Sequence, residues 1–288
     1  MEKIREKART IFLLFFAGLV ILIWYLVFYA ERHQNLWVTF FDVGQGDSAF
    51  IETPAGTQIL IDGGPDNKIL SKLGRELPFW DKSIDVLLLT HTHADHLDGL
   101  LGVLKRYDVG LVIESGANDS LSEYQDWQNL LAQKKIPMVI AQAGEKINLA
   151  NDVELDILSP LSDFAGKSVK NAHDAVVVSK LVYGKYSVLF TGDAETKVEN
   201  QMLAQEKNML PSKILKVGHH GSKTSSSPDF LRAVGAKEAI ISAGRKNRYN
   251  LPSQEIVDRL SAIGLNLWRT DLAGDIKMES DGENYSIQ

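Results

Sequence analysis

Cysteine is absent from the 288-residue chain. Its absence excludes disulfides, thiolate metal sites and a cysteine nucleophile together. An excess of positive charge is also missing, because 31 Lys and Arg face 37 Asp and Glu, a formal net charge of −6. A chain-wide attraction to nucleic acid is therefore not expected, and affinity for phosphate has to come from a local basic patch. Without repeats or low-complexity tracts, the length suits one large domain and an appendage.

One long apolar run forms the appendage. Residues 11–30, IFLLFFAGLVILIWYLVFYA, carry no charge, and twenty residues at about 1.5 Å each span a hydrocarbon core of about 30 Å. The run follows a basic segment that contains Lys3, Arg5, Lys7 and Arg9. This charge predicts a single-pass cell-membrane anchor with a cytoplasmic N-terminus. A cleaved signal peptide is the alternative, but its apolar region would be shorter and end in small residues. We therefore expect residues 1–35 to form a basic tip, anchor and linker, and residues 36–288 an extracytoplasmic domain.

Strand and helix patterns are mixed along this domain. Strands are predicted over 37–43, 48–53, 57–62, 84–90, 109–114, 153–158, 175–183, 186–190, 213–217 and 238–244, with short ones near 267–270 and 275–278. Helices are predicted around 68–77, 97–107, 123–135, 230–234 and 254–263. Some strands are joined as hairpins and others alternate with helices, which excludes an all-parallel doubly wound sheet. The pattern predicts an α/β fold of two mixed sheets with helices outside, an αββα sandwich.

The segment THTHADHLDG, residues 90–99, indicates a metal site. Alternate residues of an extended segment point the same way, so His91 and His93 can share one ion. Once the chain turns into a loop, Asp95 and His96 can face a second ion. Imidazole nitrogen and carboxylate oxygen are both zinc ligands. The alternative is a polar cluster that caps the helix predicted from residue 97, but three histidines and an aspartate within six residues are difficult to explain by capping.

Other ligand-type residues follow strand ends. His173 precedes a predicted strand, Asp193 follows one in TGDA, and His219 and His220 follow another in GHHGS. Loops from different strand ends converge on one rim of a sheet. His173 alone can equally be structural, and Asp193 is the leading candidate for a bridging carboxylate. Of the seven histidines, only His33 lies outside these sites.

Five segments in this order resemble the metallo-β-lactamase superfamily: DVGQGDS, IDGG, THTHADHLDG, FTGDAE and LKVGHHGS. Within it the chain is similar to the hydrolase domain of ComEC-type competence proteins, as NRYNLP and RTDLAGDI also indicate. The resemblance covers about residues 36–280 and implies the αββα fold and a hydrolase with a binuclear metal centre. The implied ligands are His91, His93, Asp95, His96, His173, Asp193 and His220. Either histidine of HHGS can be the ligand; we favour His220, with His219 as the catalytic partner.

The expected mechanism is phosphodiester hydrolysis. Two ions about 3.5–4 Å apart activate a hydroxide, which Asp95 orients while His219 donates to an oxyanion or protonates the leaving group. Zn²⁺ is favoured, although the ligand types suit Mn²⁺ as well. An ester, thioester or lactam hydrolase and a non-catalytic nucleic-acid-binding module with a structural metal are the alternatives.

The expected substrate is a phosphodiester such as single-stranded DNA. The expected substrate contacts are Ser222, Lys223, Arg248 and Tyr249. Basic residues near HHGS (Lys213, Lys216, Lys223) and near Tyr249 (Arg245, Lys246, Arg248) attract phosphate, and an aromatic ring can stack on a base. Residues 224–227, TSSS, with a helix start at Pro228, can bind an anion. Nothing in the sequence points to a protein partner.

Three departures from the relatives concern substrate rather than metal. Many relatives have Ser where this chain has Ala175, and YGHP where it has Tyr249-Asn250-Leu251-Pro252. They also carry a membrane-channel domain, and one helix cannot form a channel. DNA uptake itself is therefore not expected of this chain.

Overall fold

The computed structural model of the chain describes residues 2–32, 35–150 and 152–288. Helix α1 spans Glu2–Arg32 and includes Arg5–Trp24, a 20-residue stretch long and apolar enough to cross a membrane. The side chains of that stretch are exposed. The predicted apolar run is therefore one helix in its described part. His33 and Gln34 of the predicted linker lie outside the described residues.

Two β-sheets form the folded domain. The described strands, in chain order, are β1 (Leu36–Phe40), β2 (Ala49–Glu52), β3 (Gln58–Ile61), β4 (Ser83–Leu88), β5 (Asp108–Glu114), β6 (Met138–Ile140), β7 (Lys146–Asn148), β8 (Val153–Ser159), β9 (Val178–Tyr183), β10 (Tyr186–Phe190), β11 (Ile214–Lys216), β12 (Glu238–Ile241), β13 (Asn266–Arg269), β14 (Ile276–Ser280) and β15 (Tyr285–Ile287). The first sheet has the order β15-β14-β1-β2-β3-β4-β5-β6 and the second β13-β12-β11-β10-β9-β8-β7.

Each sheet is mixed, as predicted. Strands β3 to β6 are parallel to one another, and so are β10 to β13, whereas the remaining pairs are antiparallel. Each parallel block occupies one side of its sheet and includes an edge strand, β6 or β13. The carboxyl ends of its strands carry loops from several neighbouring strands to one end of the sheet.

Helices cover the outer faces of the two sheets. Beyond α1 they are α2 (Lys68–Glu76), α3 (Ala94–Arg106), α4 (Ser122–Lys134), α5 (Thr196–Gln205), α6 (Pro228–Val234), α7 (Gln254–Ala262) and α8 (Thr270–Ala273), with single 3₁₀ turns at Ala172–Ala175, Lys207–Met209 and Gly218–Gly221.

The buried apolar residues form three layers that explain this stacking. One cluster lies between the sheets and includes Phe40, Ile59 and Phe190. A second joins the first sheet to α2, α3 and α4, and a third joins the second sheet to α5, α6 and α7. Three apolar interfaces between four layers are what an αββα sandwich requires. The predicted fold class is therefore confirmed.

One local prediction was wrong, and helix α5 was missed. Helix α3 begins at Ala94, not at residue 97, so Asp95 and His96 belong to its first turn rather than to a loop. Acidic Asp95 is favourable at this position because the amino end of a helix carries partial positive charge. Helix α5 was not predicted, since a polar sequence with few apolar positions, TKVENQMLAQ, gives a weak periodic signal.

Candidate metal centre

Both sheets contribute side chains to one rim of the domain. His91 and His93 follow β4, and Asp95 and His96 come from the start of α3. From the second sheet come His173, in the 3₁₀ turn before β9, and Asp193, after β10. His219 and His220 form the 3₁₀ turn that follows β11. The structure thus brings together every residue that the sequence predicted as a ligand.

A first group consists of His91, His93, His173 and Asp193, whose ligand atoms all lie within 4.8 Å of one another. His93 Nδ1 lies 3.0 Å from His91 Nε2 and 3.1 Å from His173 Nε2. Asp193 Oδ2 lies 3.8 Å from His91 Nε2 and 3.6 Å from His173 Nε2. Ligands around a tetrahedral ion at about 2.0–2.1 Å are separated by about 3.3 Å. The four atoms therefore have the spacing of a first metal site.

A second group consists of Asp95, His96 and His220. His220 Nε2 lies 3.2 Å from Asp95 Oδ2 and 3.6 Å from Asp193 Oδ2, and His96 Nε2 lies 3.4 Å from Asp193 Oδ1. Asp193 Oδ1 thus faces His96, whereas Oδ2 lies near both the first group and His220. His96 Nε2, His220 Nε2 and Asp193 Oδ1 are buried without a hydrogen-bond partner among the described residues. Buried polar atoms are nearly always paired, so these atoms fit a divalent cation as their missing partner.

Asp62 and Thr90 fix the orientation of the histidines. The carboxylate of Asp62 lies 2.7 Å from His96 Nδ1 and accepts hydrogen bonds from the Thr90 amide (2.8 Å) and hydroxyl (2.7 Å). The Thr90 hydroxyl also lies 3.1 Å from His91 Nδ1. A carboxylate behind a ligating imidazole sets its tautomer and direction. His96 is therefore held with Nε2 toward Asp193.

A buried ion pair lies behind His220. Lys216, the last residue of β11, donates from Nζ to Asp47 Oδ2 at 2.7 Å and to the Val217 carbonyl at 3.1 Å. The other carboxylate oxygen of Asp47 lies 3.1 Å from His220 Nδ1, which is also 3.1 Å from the Ser242 carbonyl. Lys216 and Asp47 are 3% and 5% exposed. They thus constrain His220 through Nδ1, while its Nε2 faces Asp95 and Asp193, and Asp47 itself also lies close to His96 and Asp193.

His219 lies at the open edge of the centre. Its Nε2 is 3.7 Å from Asp193 Oδ2, and its Nδ1 is 3.4 Å from Glu195 and 3.1 Å from the Thr224 hydroxyl. Both His219 and His220 have left-handed backbone, with φ of 47° and 52°. Such conformations cost free energy and cluster at functional sites. The turn directs His220 inward and leaves His219 partly accessible.

The pKa values of the buried histidines are shifted in opposite directions. Burial and the neighbouring His96 hold the pKa of His91 well below its usual value, and burial lowers the pKa of His173 to about 4 despite Asp193. Burial also opposes protonation of His96 and His220, but Asp193 and a second carboxylate outweigh it. The pKa of His96 is raised well above its usual value, and that of His220 rises to about 10.

Asp95 completes this pattern. Burial raises its pKa, but the imidazole of His220, 3.2 Å away, and the charge of His96 outweigh burial and lower the pKa to about 2. Asp95 is therefore a carboxylate at neutral pH. Because a metal ion has to displace the proton from each ligating imidazole, the affinity for metal rises with pH.

The metal-free protein should lose stability between about pH 7 and pH 10. His220 has a pKa of 6.5 as a free side chain and about 10 in the fold. Above about pH 6.5 the unfolded chain releases this proton, whereas the folded protein keeps it. The protonated imidazole therefore contributes stability that is complete below about pH 6.5 and is lost as the pH rises toward 10. We expect the melting temperature of EDTA-treated protein to fall by about 5 °C or more over this interval. His220→Asn should make this fall smaller, with the remainder due to His96, whose pKa is also raised. A constant or rising melting temperature in the parent would contradict the assignment.

The predicted substrate contacts lie on two loops beside the centre. Ser222 and Lys223 continue from His220, and Lys223 is exposed and 3.9 Å from Glu255. Arg248 and Tyr249 lie in the loop formed by residues 244–252. Pro252 of this loop packs against Gly221, and the Ser253 amide donates to the Gly221 carbonyl at 3.0 Å. Arg248 lies over the Tyr249 ring, with its guanidinium carbon 4.8 Å from the centroid, and Tyr249 is 53% exposed.

Three elements of the predicted anion-binding surface were wrong. Lys216 is buried against Asp47 and is not available to substrate. Lys213 precedes β11 and therefore lies at the opposite end of that strand from HHGS. In the TSSS segment, Glu199 of α5 accepts from the amides of Ser226 and Ser227. A carboxylate of the chain thus already occupies the start of α6.

Asp47, Asp62 and Glu195 were not predicted as parts of the site, and Lys216 was predicted as a phosphate contact in place of its ion pair with Asp47. Asp47 lies in the DVGQGDS motif and Asp62 in the IDGG motif. Both are acidic residues near strand ends, and this position could have identified them as parts of the site. Glu195 follows TGDA by one residue, and its contacts with His173 and His219, at 3.5 and 3.4 Å, depend on the folded chain.

The fold and site define a class of protein. The model of the metallo-beta-lactamase superfamily matches residues 41–245, and the chain belongs to this superfamily. Igni18, a novel metallo hydrolase from the hyperthermophilic archaeon Ignicoccus hospitalis, has a similar fold, with a TM-score of 0.52 at 14% identity, over 84% of this chain and 98% of Igni18.

The chain is also similar to part of several longer curated proteins. It is 33% identical over 261 residues to ComE operon protein 3 of Bacillus subtilis, covering 83% of this chain and 32% of the relative. It is 30% identical over 246 residues to competence protein ComA of Neisseria gonorrhoeae, again covering 83% and 32%. The chain thus spans about a third of the length of the curated relatives it matches. The predicted ComEC-type resemblance is confirmed.

Proposed function

We propose that this metallo-hydrolase is a membrane-anchored phosphodiesterase, acting on DNA or another phosphodiester with two divalent ions. The observation that carries the proposal is the pair of ligand groups on either side of Asp193, each with metal-like spacing. His91, His93 and His173 would hold the first ion, and Asp95, His96 and His220 would hold the second, with Asp193 available to both. Zn²⁺ is the favoured metal and Mn²⁺ the alternative, since both accept nitrogen and carboxylate ligands.

Bound divalent ions supply Lewis-acid stabilisation of phosphate oxygens and lower the pKa of a bound water. The chain's own residues supply orientation and proton transfer. Asp95, ionised and 3.2 Å from His220 Nε2, accepts a hydrogen bond from the attacking water. His219, at the open edge and supported by Glu195 and Thr224, donates a proton to the leaving oxygen.

The loops beside HHGS support a phosphodiester as substrate. Lys223 and Arg248 place positive charge near the centre, and Ser222 offers a hydroxyl. The exposed Tyr249 ring, with the guanidinium of Arg248 against it, can stack on a base of single-stranded DNA. The similarity to a relative named as a competence protein adds to this reading.

The proposed location is the outer side of the cell membrane. Residues 1–35 form the basic tip, the membrane-spanning helix and the linker, and residues 36–288 form the hydrolase domain. The basic residues before the apolar stretch favour a cytoplasmic N-terminus.

A substrate panel tests the proposed chemistry. The full chain, dialysed and then loaded with Zn²⁺ or Mn²⁺, is incubated with bis-p-nitrophenyl phosphate, single-stranded DNA and nitrocefin. We expect turnover of the two phosphodiesters only, with about two metals per chain by elemental analysis and loss of turnover in Asp95→Ala. Nitrocefin hydrolysis alone would favour a lactam or ester hydrolase. DNA affinity that persists in Asp95→Ala, without turnover by either protein, would favour a binding module.

Tyr249→Ala should weaken single-stranded DNA specifically. Stacking of one base on an aromatic ring contributes about 1–3 kcal/mol, so KM for an oligonucleotide should rise about 5- to 100-fold. The rate on bis-p-nitrophenyl phosphate, which has no base, should change little. Tyr249→Phe, which keeps the ring, serves as the matched control and should retain the parental KM. Equal losses in both variants would assign the effect to the hydroxyl, which accepts from Arg248 at 2.6 Å, and not to stacking.

A further inference from the structure

Phe79 and Trp80 form an exposed aromatic pair far from the metal centre. They lie between α2 and β4 and are 82% and 61% exposed, with ring centroids 4.8 Å apart in an edge-to-face arrangement. Contiguous exposed apolar surface usually marks an interaction site. Aromatic side chains, and Trp in particular, favour the boundary between lipid and water.

The register of the first sheet places this pair at the end of the domain where β1 begins. Trp37 of β1 pairs with Glu52 of β2, and Glu52 pairs with Gln58 of β3. Gln58 in turn donates from Nε2 to Asp81 Oδ2 at 2.7 Å. Trp80 is the residue before Asp81, so the aromatic pair lies at the same level of the sheet as the start of β1.

The start of β1 is tied closely to the proposed membrane span. Leu36 is four residues after Arg32, the last residue of α1. Four residues reach at most about 14 Å even when fully extended. Whatever path the chain takes there, the end of the domain that carries Leu36 stays near the membrane surface at which α1 ends.

The metal centre lies at the opposite end. Gln58 donates its amide to Asp85 of β4, so these two residues are level in the sheet. His91 follows Asp85 by six residues, a distance of about 20 Å for an extended chain. A domain whose β1 end rests on the bilayer therefore holds its ligand groups about 20 Å above it.

We infer that the hydrolase domain is seated on the lipid bilayer through Phe79 and Trp80, with its metal centre facing away from the membrane. This inference rests on the proposed anchoring by α1. The two aromatic rings then lie at the boundary between the lipid headgroups and the acyl chains, where they contact lipid in place of water. The substrate then approaches from the aqueous side and not from within the membrane.

Single cysteines report the position of each surface, because the chain has none of its own. Phe79→Cys and Trp80→Cys are labelled with an environment-sensitive NBD fluorophore in the full chain. Leu272→Cys is the matched control, since Leu272 is 67% exposed and follows β13 at the metal-centre end. Ile21→Cys reports the span itself. Each protein is reconstituted in phosphatidylcholine and phosphatidylglycerol vesicles that carry a nitroxide at the shallow part of the acyl chain.

We expect the nitroxide to more than halve the fluorescence at positions 79, 80 and 21 and to leave position 272 unchanged. Quenching at 21 without quenching at 79 and 80 would overturn the seating and leave the anchor intact. Absence of quenching at all four positions would overturn both. A label at Lys82→Cys tests the rings themselves. Its fluorescence should be quenched when Phe79 and Trp80 are present and much less in the double variant Phe79→Ser/Trp80→Ser. Equal quenching in both backgrounds would show that the aromatic pair does not hold the domain down.

Discussion

Asp193→Asn is expected to reduce kcat/KM on bis-p-nitrophenyl phosphate by about 10³-fold or more. The carboxylate is 2% exposed and directs Oδ1 toward His96 and Oδ2 toward the histidines of the first group. An amide turns one of these oxygens into an N–H₂ donor and removes the negative charge between the groups. Loss of a shared ligand removes several kcal/mol of transition-state stabilisation. Elemental analysis should show fewer than two metals per chain.

The matched control for this variant is Asp229→Asn. Asp229 is an exposed first-turn residue of α6 that pairs with Arg232, and its loss should leave metal content and rate unchanged. Circular dichroism of both variants separates a local effect from unfolding. If Asp193→Asn kept both metals and the parental rate, the shared-carboxylate assignment would be wrong, and so would the proposed binuclear chemistry.

Lys216→Met is expected to lower the free energy of unfolding of metal-free protein by up to about 3 kcal/mol, the lower end of the range for breaking a buried ion pair. The loss stays at that end because protonated His220 still faces the Asp47 carboxylate, which constrains the His220 ring through Nδ1. Removing a residue that orients a ligand typically weakens metal binding about 10- to 100-fold. Urea unfolding of metal-free protein and competition with a chelating dye measure the two effects separately.

The double variant Lys216→Met/Asp47→Leu distinguishes stability from metal affinity. Removing both charges together should restore part of the lost stability, because no buried charge is left unpaired. Metal affinity should stay low, since nothing then constrains His220 beyond its bond to the Ser242 carbonyl. If the double variant recovered metal affinity as well, the ion pair would serve the fold and not the site.

The order of elements and the ligand residues could be predicted, because both depend on local patterns. Hairpin turns, buried strands and the spacing of His91, His93 and His96 are visible in the sequence. The Lys216–Asp47 pair could not be predicted, since its residues are 169 apart and meet only when both sheets pack. For the same reason a lysine beside HHGS resembled a phosphate contact. The Glu199 carboxylate at the start of α6 was missed because α5 itself has a weak periodic pattern.

The two-sheet origin of the centre has a mechanical consequence. His91 to His96 belong to the first sheet, whereas His173, Asp193 and His220 belong to the second, with an apolar layer between the sheets. Metal bound by both halves acts as a clamp across that layer. Chelation should therefore allow the sheets to separate more readily and broaden thermal unfolding, whereas the loaded protein unfolds as one cooperative block. Loss of metal then exposes the apolar layer to proteases, so starvation for the ion would shorten the lifetime of the protein as well as stop its chemistry.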